Sequence, residues 1–450
     1  MTSRQSAVGG RQETSAQPTD RVPDPLPAAD RRPPTLIGPV FPYRAGIAYC
    51  TTRLAEELGA EVISFKRQFP KSLYPGSSDI DPTLPRYSRA RFLLDIVNPI
   101  TWLRTALLLR REKPDAVILV WWVWVWALPY LVLLGLLPKR TRVVLQCHNI
   151  GDKEPAAWKR LLTNLVLWRG DVLVVHAKTE AEDAARRVGG KFRESAPHPP
   201  AAPSPHRDEA AVGRRLPIDD SCEAHGQVAF SPPRGEKVPK ADEGSALGRI
   251  VQTFLPVHEL GGAIPSREDA RTTLNLQGNV ALFFGHVRPF KGLDIALRAW
   301  RELQTDVTLV VAGEAWWKGE AEYRALAEGL ANIRFDFRFI PDAEIATYFA
   351  AADVVLAPYR IEAQSGVALT AFHFARPVIA TNVGGLPEII EEGVNGMLVP
   401  PEDPQALARA VDAFFARSDR AQMERQAAVA ARKYSWEEYG ALMKRLLAGE

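Results

Sequence analysis

Residues 280–300 read VALFFGHVRPFKGLDIALRAW. An uncharged apolar run ends at Gly285, a polar loop follows, and apolar residues then recur at helical spacing from Gly292 onward. A short buried strand that leads directly into a helix is typical of a parallel sheet with helices on both faces. The stretch therefore predicts one strand–loop–helix unit of an α/β domain.

The same alternation of apolar runs and amphipathic helices fills two blocks of the chain. In the first block, strands are predicted at TLIGPV, AEVISF, AVILVW, RVVLQCH and VLVVH, with a helix at GIAYCTTRLAEELGA. The second block repeats the pattern through VTLVVAGE, IRFDFRFI, VVLAPY and PVIATN. We predict an α/β fold of two doubly wound, Rossmann-like domains, residues 34–191 and 275–430, that face each other across a cleft.

The remaining segments are interpreted from composition. Residues 1–33 are polar and proline-rich, lack the apolar run of a signal peptide, and are predicted to be a disordered tail. Residues 192–248 are rich in proline and charge and are predicted to be a disordered insertion. Residues 249–274 are interpreted as the last strand of the first domain and a linker, and residues 431–450 as a C-terminal helix that packs back on that domain.

Composition narrows the class of protein. A net charge of +3 over 450 residues does not suggest a nucleic-acid binder. Cys50, Cys147 and Cys222 lie far apart with no metal-binding spacing, so no metal site is predicted. Free thiols indicate a reducing compartment, and we expect a cytoplasmic protein.

One segment raises the question of a membrane. Residues 116–137 contain no charge and are long enough to span a bilayer of about 30 Å as a helix. The β-branched and aromatic first half instead favours a buried strand, after which Pro129 opens a separate apolar helix. Basic residues nearby fit either an anionic lipid surface or an ordinary solvated helix face, and they are Lys139, Arg140, Lys159 and Arg160. A peripheral contact with the inner membrane face therefore stays open.

The loop after the strand at 280–285 has the chemistry of an anion site. Arg288 and Lys291 lie beside a predicted helix N-terminus, where the helix dipole and free N–H groups add to both charges. Such a loop fits a diphosphate, although a solvated basic loop would look the same.

Three further loops fall at the same predicted sheet edges. Gln364, Ser365 and Gly366 precede a helix, Gly46 begins the first helix, and His148 follows a strand. Each has an ordinary structural interpretation, such as turn chemistry or a structural histidine, but ligands of open α/β sheets bind at this edge. The acidic Asp79-Ile80-Asp81 is interpreted as a solvated turn rather than a metal site.

The order of these features resembles the family 4 retaining glycosyltransferases of the GT-B fold. The resemblance covers about residue 35 to the C-terminus except the insertion. Its most specific part comprises FFGHVRPFKG, VVAGE, FIPDAEIATYFAAADVVLAPY and QSGVALTAFHFARPVIATNVGGLPEIIEEGVNGMLVPPEDP, in the expected order.

The resemblance implies roles for the residues already singled out. Arg288 and Lys291 would hold the donor diphosphate and carry catalysis together with His148, which would lie near the donor sugar. The usual arginine of this loop falls at His286, so Lys291 is the closer match of the two. Of the family's Gly-Gly loop only Gly46 carries over, because residue 45 is alanine.

One family feature departs from the pattern. Of the paired glutamates, Glu362 matches the one that touches the sugar, whereas the one that holds the ribose falls on Thr370. Either Thr370 makes a weaker ribose contact, or Gln364 and Ser365 take over donor contacts in a branch built around Gln-Ser-Gly, which is the interpretation we favour.

The function implied is transfer of a hexose from a nucleotide-diphosphate sugar to an acceptor hydroxyl with retention. It would need no metal and no cofactor besides this co-substrate, and its acceptor would be a glycan or a lipid-linked molecule. Two alternatives remain, a nucleotide-sugar epimerase of the same fold and an inactive membrane-associated interaction protein.

Overall fold

The computed structural model describes residues 32–44, 46–70, 78–151, 156–195, 248–259, 263–316, 319–361 and 364–450. Several predictions fall outside these ranges: almost all of the tail, most of the insertion with Cys222, and the donor contact of Glu362. The described residues form two α/β domains, each built on a parallel sheet.

The first sheet lies in the N-terminal domain. Its described strands are β1 (Thr35–Ile37), β2 (Glu61–Arg67), β3 (Ala90–Asp95), β4 (Ala116–Trp121), β5 (Arg142–Cys147), β6 (Val172–Val175), β7 (Phe192–Glu194) and β8 (Gly248–Gln252). They pair in the order β3-β2-β1-β4-β5-β6-β8-β7, and every described pair is parallel. The central strands are buried along their whole length because helices cover both faces.

The helices of this domain lie between its strands in sequence. They are α1 (Gly46–Leu58), α2 (Pro99–Glu112), α3 (Ala127–Leu136), α4 (Ala157–Leu167) and α5 (Lys178–Val188). On one face of the sheet, α3 packs between α2 and α4. Asn98 caps α2 by accepting a hydrogen bond from Ile100 N, and Pro99 occupies the first helical position, where its missing N–H costs nothing.

The second sheet has the order β11-β10-β9-β12-β13-β14, again with every described pair parallel. Its strands are β9 (Asn279–Phe284), β10 (Val307–Ala312), β11 (Ile333–Asp336), β12 (Val354–Ala357), β13 (Val378–Thr381) and β14 (Gly396–Val399). The remaining helices are α6 (Arg267–Leu274), α7 (Leu293–Ala299), α8 (Glu320–Leu326), α9 (Asp342–Ala351), α10 (Gly366–His373), α11 (Leu386–Ile389), α12 (Pro404–Ala416), α13 (Arg420–Lys433) and α14 (Trp436–Ala448).

Two predicted boundaries are wrong. The predicted insertion begins at residue 192, but Phe192–Glu194 forms strand β7, which pairs with β8. The segment 249–274 was interpreted as strand and linker, but its second half forms α6, which packs on α9 of the second domain. Both elements are short, so neither produces a periodic pattern long enough to recognise.

The chain returns to the first domain after α13. Helix α14 packs against α1, and the Tyr439 hydroxyl accepts a hydrogen bond of 3.0 Å from Gln146 Nε2 on β5. The indole of Trp436 donates to Val257 O, at 2.9 Å, in the segment between the domains. Apolar side chains of both domains, this segment and α14 thereby form one continuous core cluster.

Residues 116–137 divide as predicted into a strand and a helix. Strand β4 is fully buried, a single 3-10 turn covers Trp124–Trp126, and α3 contains Pro129 in its first turn. Across the described ranges, no helix has both the length and the apolar character that a membrane crossing requires.

Candidate functional site

The loop after β9 is shaped by two glycines. Gly285 has a φ of 96° and Gly292 a φ of 72°, values that favour glycine. A Cβ on Gly292 would lie 1.9 Å from Pro358 O, and one on Gly285 would lie 3.6 Å from the Val367 side chain in the first turn of α10. The loop is therefore packed between the end of β12 and the start of α10, at the carboxyl edge of the second sheet.

Aromatic rings hold both predicted cations of this loop. The Arg288 guanidinium lies 3.9 Å from the ring centre of Trp316, and Lys291 Nζ lies 3.9 Å from that of Tyr359. A cation on a ring face is attracted to the ring's negative charge density, but the ring removes none of its charge. The two side chains are thus held in place by ring contacts that leave their positive charge intact.

Arg360, which follows β12, anchors the same loop. Its guanidinium donates to both carboxylate oxygens of Asp294, at 2.9 and 2.8 Å, and also to Glu402 and to Pro289 O. Its backbone N–H donates to Phe290 O at 2.8 Å. Burial raises the pKa of Asp294, but the bonds from Arg360 outweigh it and leave this pKa below its usual value. Arg360 therefore fixes the loop in place through an ionised partner.

His286 lies inside this cation cluster. Its ring is 4.7 Å from that of Trp316. Burial, followed by the charge of Arg288, lowers the pKa of His286 to about 4, and Lys291 and Arg44 act in the same direction. His286 is therefore neutral at pH 7, and the positive charge of the cluster comes from its arginines and lysine.

The first domain contributes Arg44 from the loop after β1. Its guanidinium lies 3.8 Å from the ring centre of Phe339 in the second domain and donates to Ser78 O at 2.9 Å. Gly46, two residues later, is exposed, and nothing lies within 4 Å of where its Cβ would be. The two predicted loops, around Gly46 and around Lys291, are thus brought to opposite walls of one cleft.

The start of α10 is open at Gly366 but not at its neighbours. Gly366 is exposed, with no atom within 4 Å of a built Cβ. Ser365 is 1% exposed, and its hydroxyl caps the helix by accepting from Ala368 N at 3.3 Å. The side-chain amide oxygen of Gln364, Oε1, accepts a hydrogen bond from Leu255 N, in the segment between the domains. Gln364 and Ser365 thus use their side-chain oxygens to hold the backbone of the loop.

Thr370 does not present its hydroxyl to the cleft. It is 4% exposed and donates to Gly366 O at 2.7 Å, a bond within its own helix. The predicted ribose contact is therefore not supported. The sequence does not show whether a single polar side chain on an apolar helix is buried or faces a ligand.

His148 lies just past β5 at the carboxyl edge of the first sheet. Its backbone N–H donates to Trp121 O at 2.8 Å, and its ring lies 5.3 Å from that of His176. Burial, and then the neighbouring His176, lower the pKa of His148 to about 3, so its imidazole is neutral. Within the described chain its Nε2 is buried and has no hydrogen-bond partner, so this polar atom is left unsatisfied.

The Asp79–Asp81 turn was interpreted as solvated, and for Asp81 this is wrong. Asp81 is 1% exposed, and its Oδ1 accepts from the Thr83 N–H and hydroxyl at 2.8 and 2.6 Å. Burial, and then the charge of Asp81, raise the pKa of Asp342 to about 6. Across the part of the chain that is described, no three His, Cys, Asp or Glu side chains are grouped to hold a metal.

Three residues of the site were not predicted from the sequence: Arg44, Trp316 and Arg360. Arg44 lies in the same loop as Gly46 and could have been noticed as a cation at a ligand-binding edge. Trp316 follows β10 and Arg360 follows β12, so both occupy the same sheet edge as Lys291. Their roles depend on contacts between different loops, which no local pattern indicates.

The chain was compared with known proteins. Residues 278–417 match the family model described as Glycosyl transferases group 1. The D-inositol 3-phosphate glycosyltransferase of Xylanimonas cellulosilytica is 35% identical over 208 residues, which cover 44% of this chain and 48% of that protein. The corresponding protein of Mycobacterium marinum is 36% identical over 181 residues, which cover 38% and 39%. The chain thus spans about half the length, or less, of the curated relatives it matches.

Solved structures are similar over nearly the whole chain. Sucrose-phosphate synthase from Thermosynechococcus elongatus has a TM-score of 0.62 at 18% identity and covers 93% of this chain and 100% of its own. Anabaena HepE in complex with UDP and glucose has a TM-score of 0.63 at 16% identity, with the same coverage. The predicted arrangement of two Rossmann-like domains, the GT-B fold, is confirmed.

Proposed function

We propose that the chain is a glycosyltransferase that moves a hexose from a nucleotide-diphosphate sugar to an acceptor hydroxyl, with retention of configuration. The observation that carries the proposal is the cation loop at the carboxyl edge of the second sheet. There the loop that carries Arg288 and Lys291 approaches Val367, next to the exposed helix start at Gly366, and Arg44 of the other domain lies across the cleft. The match to the group 1 glycosyltransferase model covers this same loop.

The proposed roles follow from charge. When the bond to the sugar breaks, negative charge develops on the leaving diphosphate. Arg288 and Lys291 stabilise this charge, together with the amide groups at the start of α10 and near Gly46. Because the rings and Arg360 already hold these cations, little reorganisation is needed at the moment of reaction.

The stereochemical course and the independence from metal belong to the same proposal. The acceptor hydroxyl attacks the anomeric carbon from the face of the leaving group, its oxygen forms the new glycosidic bond, and its proton passes to a diphosphate oxygen. The bond between the anomeric carbon and that diphosphate oxygen breaks. No protein nucleophile is required, and the neutral imidazole of His148 positions a sugar hydroxyl through Nε2. Glu362 is proposed to contact the same sugar.

Donor and acceptor are proposed from chemistry and from the relatives. HepE binds UDP and glucose, so a UDP-hexose is the first donor to test. Gln364 and Ser365 support this site indirectly, by fixing the loop before α10 in a branch built around Gln-Ser-Gly. The acceptor is proposed to be a glycan or lipid-linked hydroxyl, reached from the cytoplasmic side of a membrane.

The test begins with binding. Isothermal titration calorimetry with UDP and GDP should detect a site, and replacing both Arg288 and Lys291 by alanine should abolish it. Transfer is then measured with UDP-hexoses and a panel of glycan and lipid-linked acceptors, the anomeric configuration is read by NMR, and EDTA should leave the rate unchanged.

The alternatives give different results. If no nucleoside diphosphate binds, the inactive membrane-associated interaction protein is favoured. If the donor sugar is isomerised but never transferred, the epimerase is favoured. Inverted configuration or loss of activity in EDTA would contradict the stereochemical or metal-independent part of the proposal alone.

A further inference from the structure

Exposed apolar side chains concentrate on one face of the first domain. Among the described residues, twelve large apolar side chains are strongly exposed, and eight of them lie on α2, α3 and α4 or at the cap of α4. We call these eight the apolar face: Ile100, Leu103, Leu107, Leu128, Trp158, Leu161, Leu165 and Trp168. Single exposed apolar residues are normal, but a group on adjacent helices marks an interaction surface.

The spacing shows that each helix turns one side outward. On α4, Trp158, Leu161, Leu165 and Trp168 follow at intervals of three, four and three residues and therefore lie on one side of the helix. On α2, the exposed Leu103 and Leu107 are four residues apart and therefore also lie on one side of their helix. Since α3 packs between these two helices and contributes Leu128, 55% exposed, the three sides form one surface.

Cations lie on the same helices as the apolar face. Helices α2, α3 and α4 carry five arginines and lysines against one glutamate, and that glutamate, Glu112, pairs with Arg91 at 2.6 Å. Four of these cations are exposed: Arg104, Arg110, Arg111 and Arg160. Neither Arg104 nor Arg160 lies within 4.0 Å of a carboxylate among the described residues. The surface therefore combines apolar side chains with two arginines that pair with no carboxylate in the described part of the chain.

We propose that this face docks on an anionic lipid bilayer. An apolar strip with cations on its flanks matches a bilayer surface, where leucines enter the boundary between headgroups and acyl chains and arginines meet lipid phosphates. Trp158 and Trp168 at the two ends of the α4 strip fit the same environment, because an indole is apolar with one polar group. A protein partner would have to supply an acidic groove. A second copy of this chain would place the same arginines opposite these arginines, and the two like-charged faces would repel each other.

Docking would bring the cleft to the membrane. Trp158 packs edge-on against Trp124, with ring centres 4.7 Å apart, and Trp124 lies in the loop after β4 at the carboxyl edge of the first sheet. The apolar face thus reaches the edge where His148 lies. If the proposed transferase activity holds, a lipid-linked acceptor would enter from this side. The docking itself does not depend on that activity.

The experiment is co-sedimentation of the full chain, without nucleotide, with vesicles of phosphatidylcholine alone or mixed equally with phosphatidylglycerol. The wild type should sediment only with the anionic vesicles, and less as salt rises. The double variant Leu103→Asn/Leu161→Asn should bind at least about tenfold more weakly. The double variant Arg104→Gln/Arg160→Gln should lose roughly fivefold per charge.

Three controls keep the result interpretable. The matched variant Ile264→Asn/Arg432→Gln changes an exposed apolar and an exposed basic residue elsewhere and should bind like wild type. A variant with Arg288 and Lys291 replaced by alanine should also bind like wild type, so that failure here is separate from failure of the proposed function. Circular dichroism confirms that each variant is folded.

Several outcomes would overturn the proposal. These are equal binding to neutral vesicles, binding to neither kind, or equal losses in the Ile264/Arg432 control. A dimer in sedimentation velocity that dissociates in the Leu103/Leu161 variant would show that a second copy covers the face instead.

Discussion

Lys291 is the residue whose removal should affect turnover most directly. Its Nζ lies over the Tyr359 ring, so it is already directed before substrate binds. If it stabilises the leaving diphosphate, Lys291→Ala should lower kcat/KM for the donor by about 10²- to 10³-fold, as loss of a preorganised charge contact does. Initial rates at varied donor concentration measure this.

Lys444→Ala provides the control for charge, because Lys444 is exposed on α14 away from the loop. It should leave kcat/KM unchanged. Equal rates for wild type and Lys291→Ala would show that the loop does not bind the reacting diphosphate.

Arg360 should act through the loop rather than on the substrate. Without its guanidinium, the exposed Arg298, at 3.1 Å, is the one cation left within 4.0 Å of Asp294 among the described residues, and Pro289 O loses one of its two donors. We expect Arg360→Ala to raise the donor Kd about tenfold, because the cations must then be ordered on binding. Arg360→Lys should recover only part of this, since lysine cannot form the two-point contact with Asp294. A donor Kd unchanged by calorimetry would exclude this positioning role.

At this scale, the position of a residue at the sheet edge is easier to predict from sequence than the partner that its side chain finds. Arg288, Lys291 and Gly46 were recognisable because a cation or glycine after a strand indicates a ligand-binding edge. Ser365 and Thr370 looked equally suitable. Their hydroxyls instead satisfy Ala368 N and Gly366 O, and a single sequence does not reveal which partner a buried hydroxyl finds.

Among the elements, α10 begins with a side-chain cap at the candidate site. Ser365 Oγ accepts from Ala368 N, which is one of the amides that lack a partner in the helix itself. Ser365→Ala should reduce the free energy of unfolding by about 1 kcal/mol. It should also weaken nucleotide binding, because the backbone at Gly366 would be less ordered. Urea unfolding measures the first effect and calorimetry the second.

Ser365→Asp serves as the rescue variant, because a carboxylate also caps a helix. It should restore stability but not nucleotide affinity, since it adds a negative charge where a phosphate is proposed to bind. Full nucleotide affinity in Ser365→Asp would indicate that the diphosphate binds elsewhere.

Buried apolar strands were predicted well, whereas some elements without a clear apolar run were not. The strand–helix alternation gave β4, α3, β9 and most of the second sheet, because buried parallel strands read as continuous apolar runs. Strand β7, with three residues, and helix α6, with eight, were missed. Tertiary pairing, rather than local pattern, stabilises elements of this length.

On the scale of the molecule, acid should destabilise the fold. Burial lowers the pKa of His148 to about 3 and of His176 and His286 to about 4, from the ordinary value of 6.5. Between pH 6.5 and 4 the unfolded chain binds protons that the folded chain does not. The free energy of unfolding should therefore decrease as the pH is lowered from 6.5 to 4, by up to about 1.4 kcal/mol per pH unit for each histidine.

Urea unfolding at pH 7 and pH 5 measures this dependence. His176→Gln removes one of the histidines whose pKa is lowered, a set that also includes His258, and should make the dependence shallower. The raised pKa of Asp342 works in the opposite sense, since its contribution is lost as pH rises through about 6. Equal free energies of unfolding at the two pH values would contradict the burial of the neutral histidines.

The return of the chain after α13 has a mechanical consequence. The polypeptide passes from one lobe to the other near Leu255 and comes back near Tyr434, and Val257 N donates to Tyr434 O at 2.8 Å, so the two passages lie side by side. A body attached at two adjacent points can swing about the line through them but resists twisting about any other. Opening and closing of the lobes should therefore follow a single rotation axis.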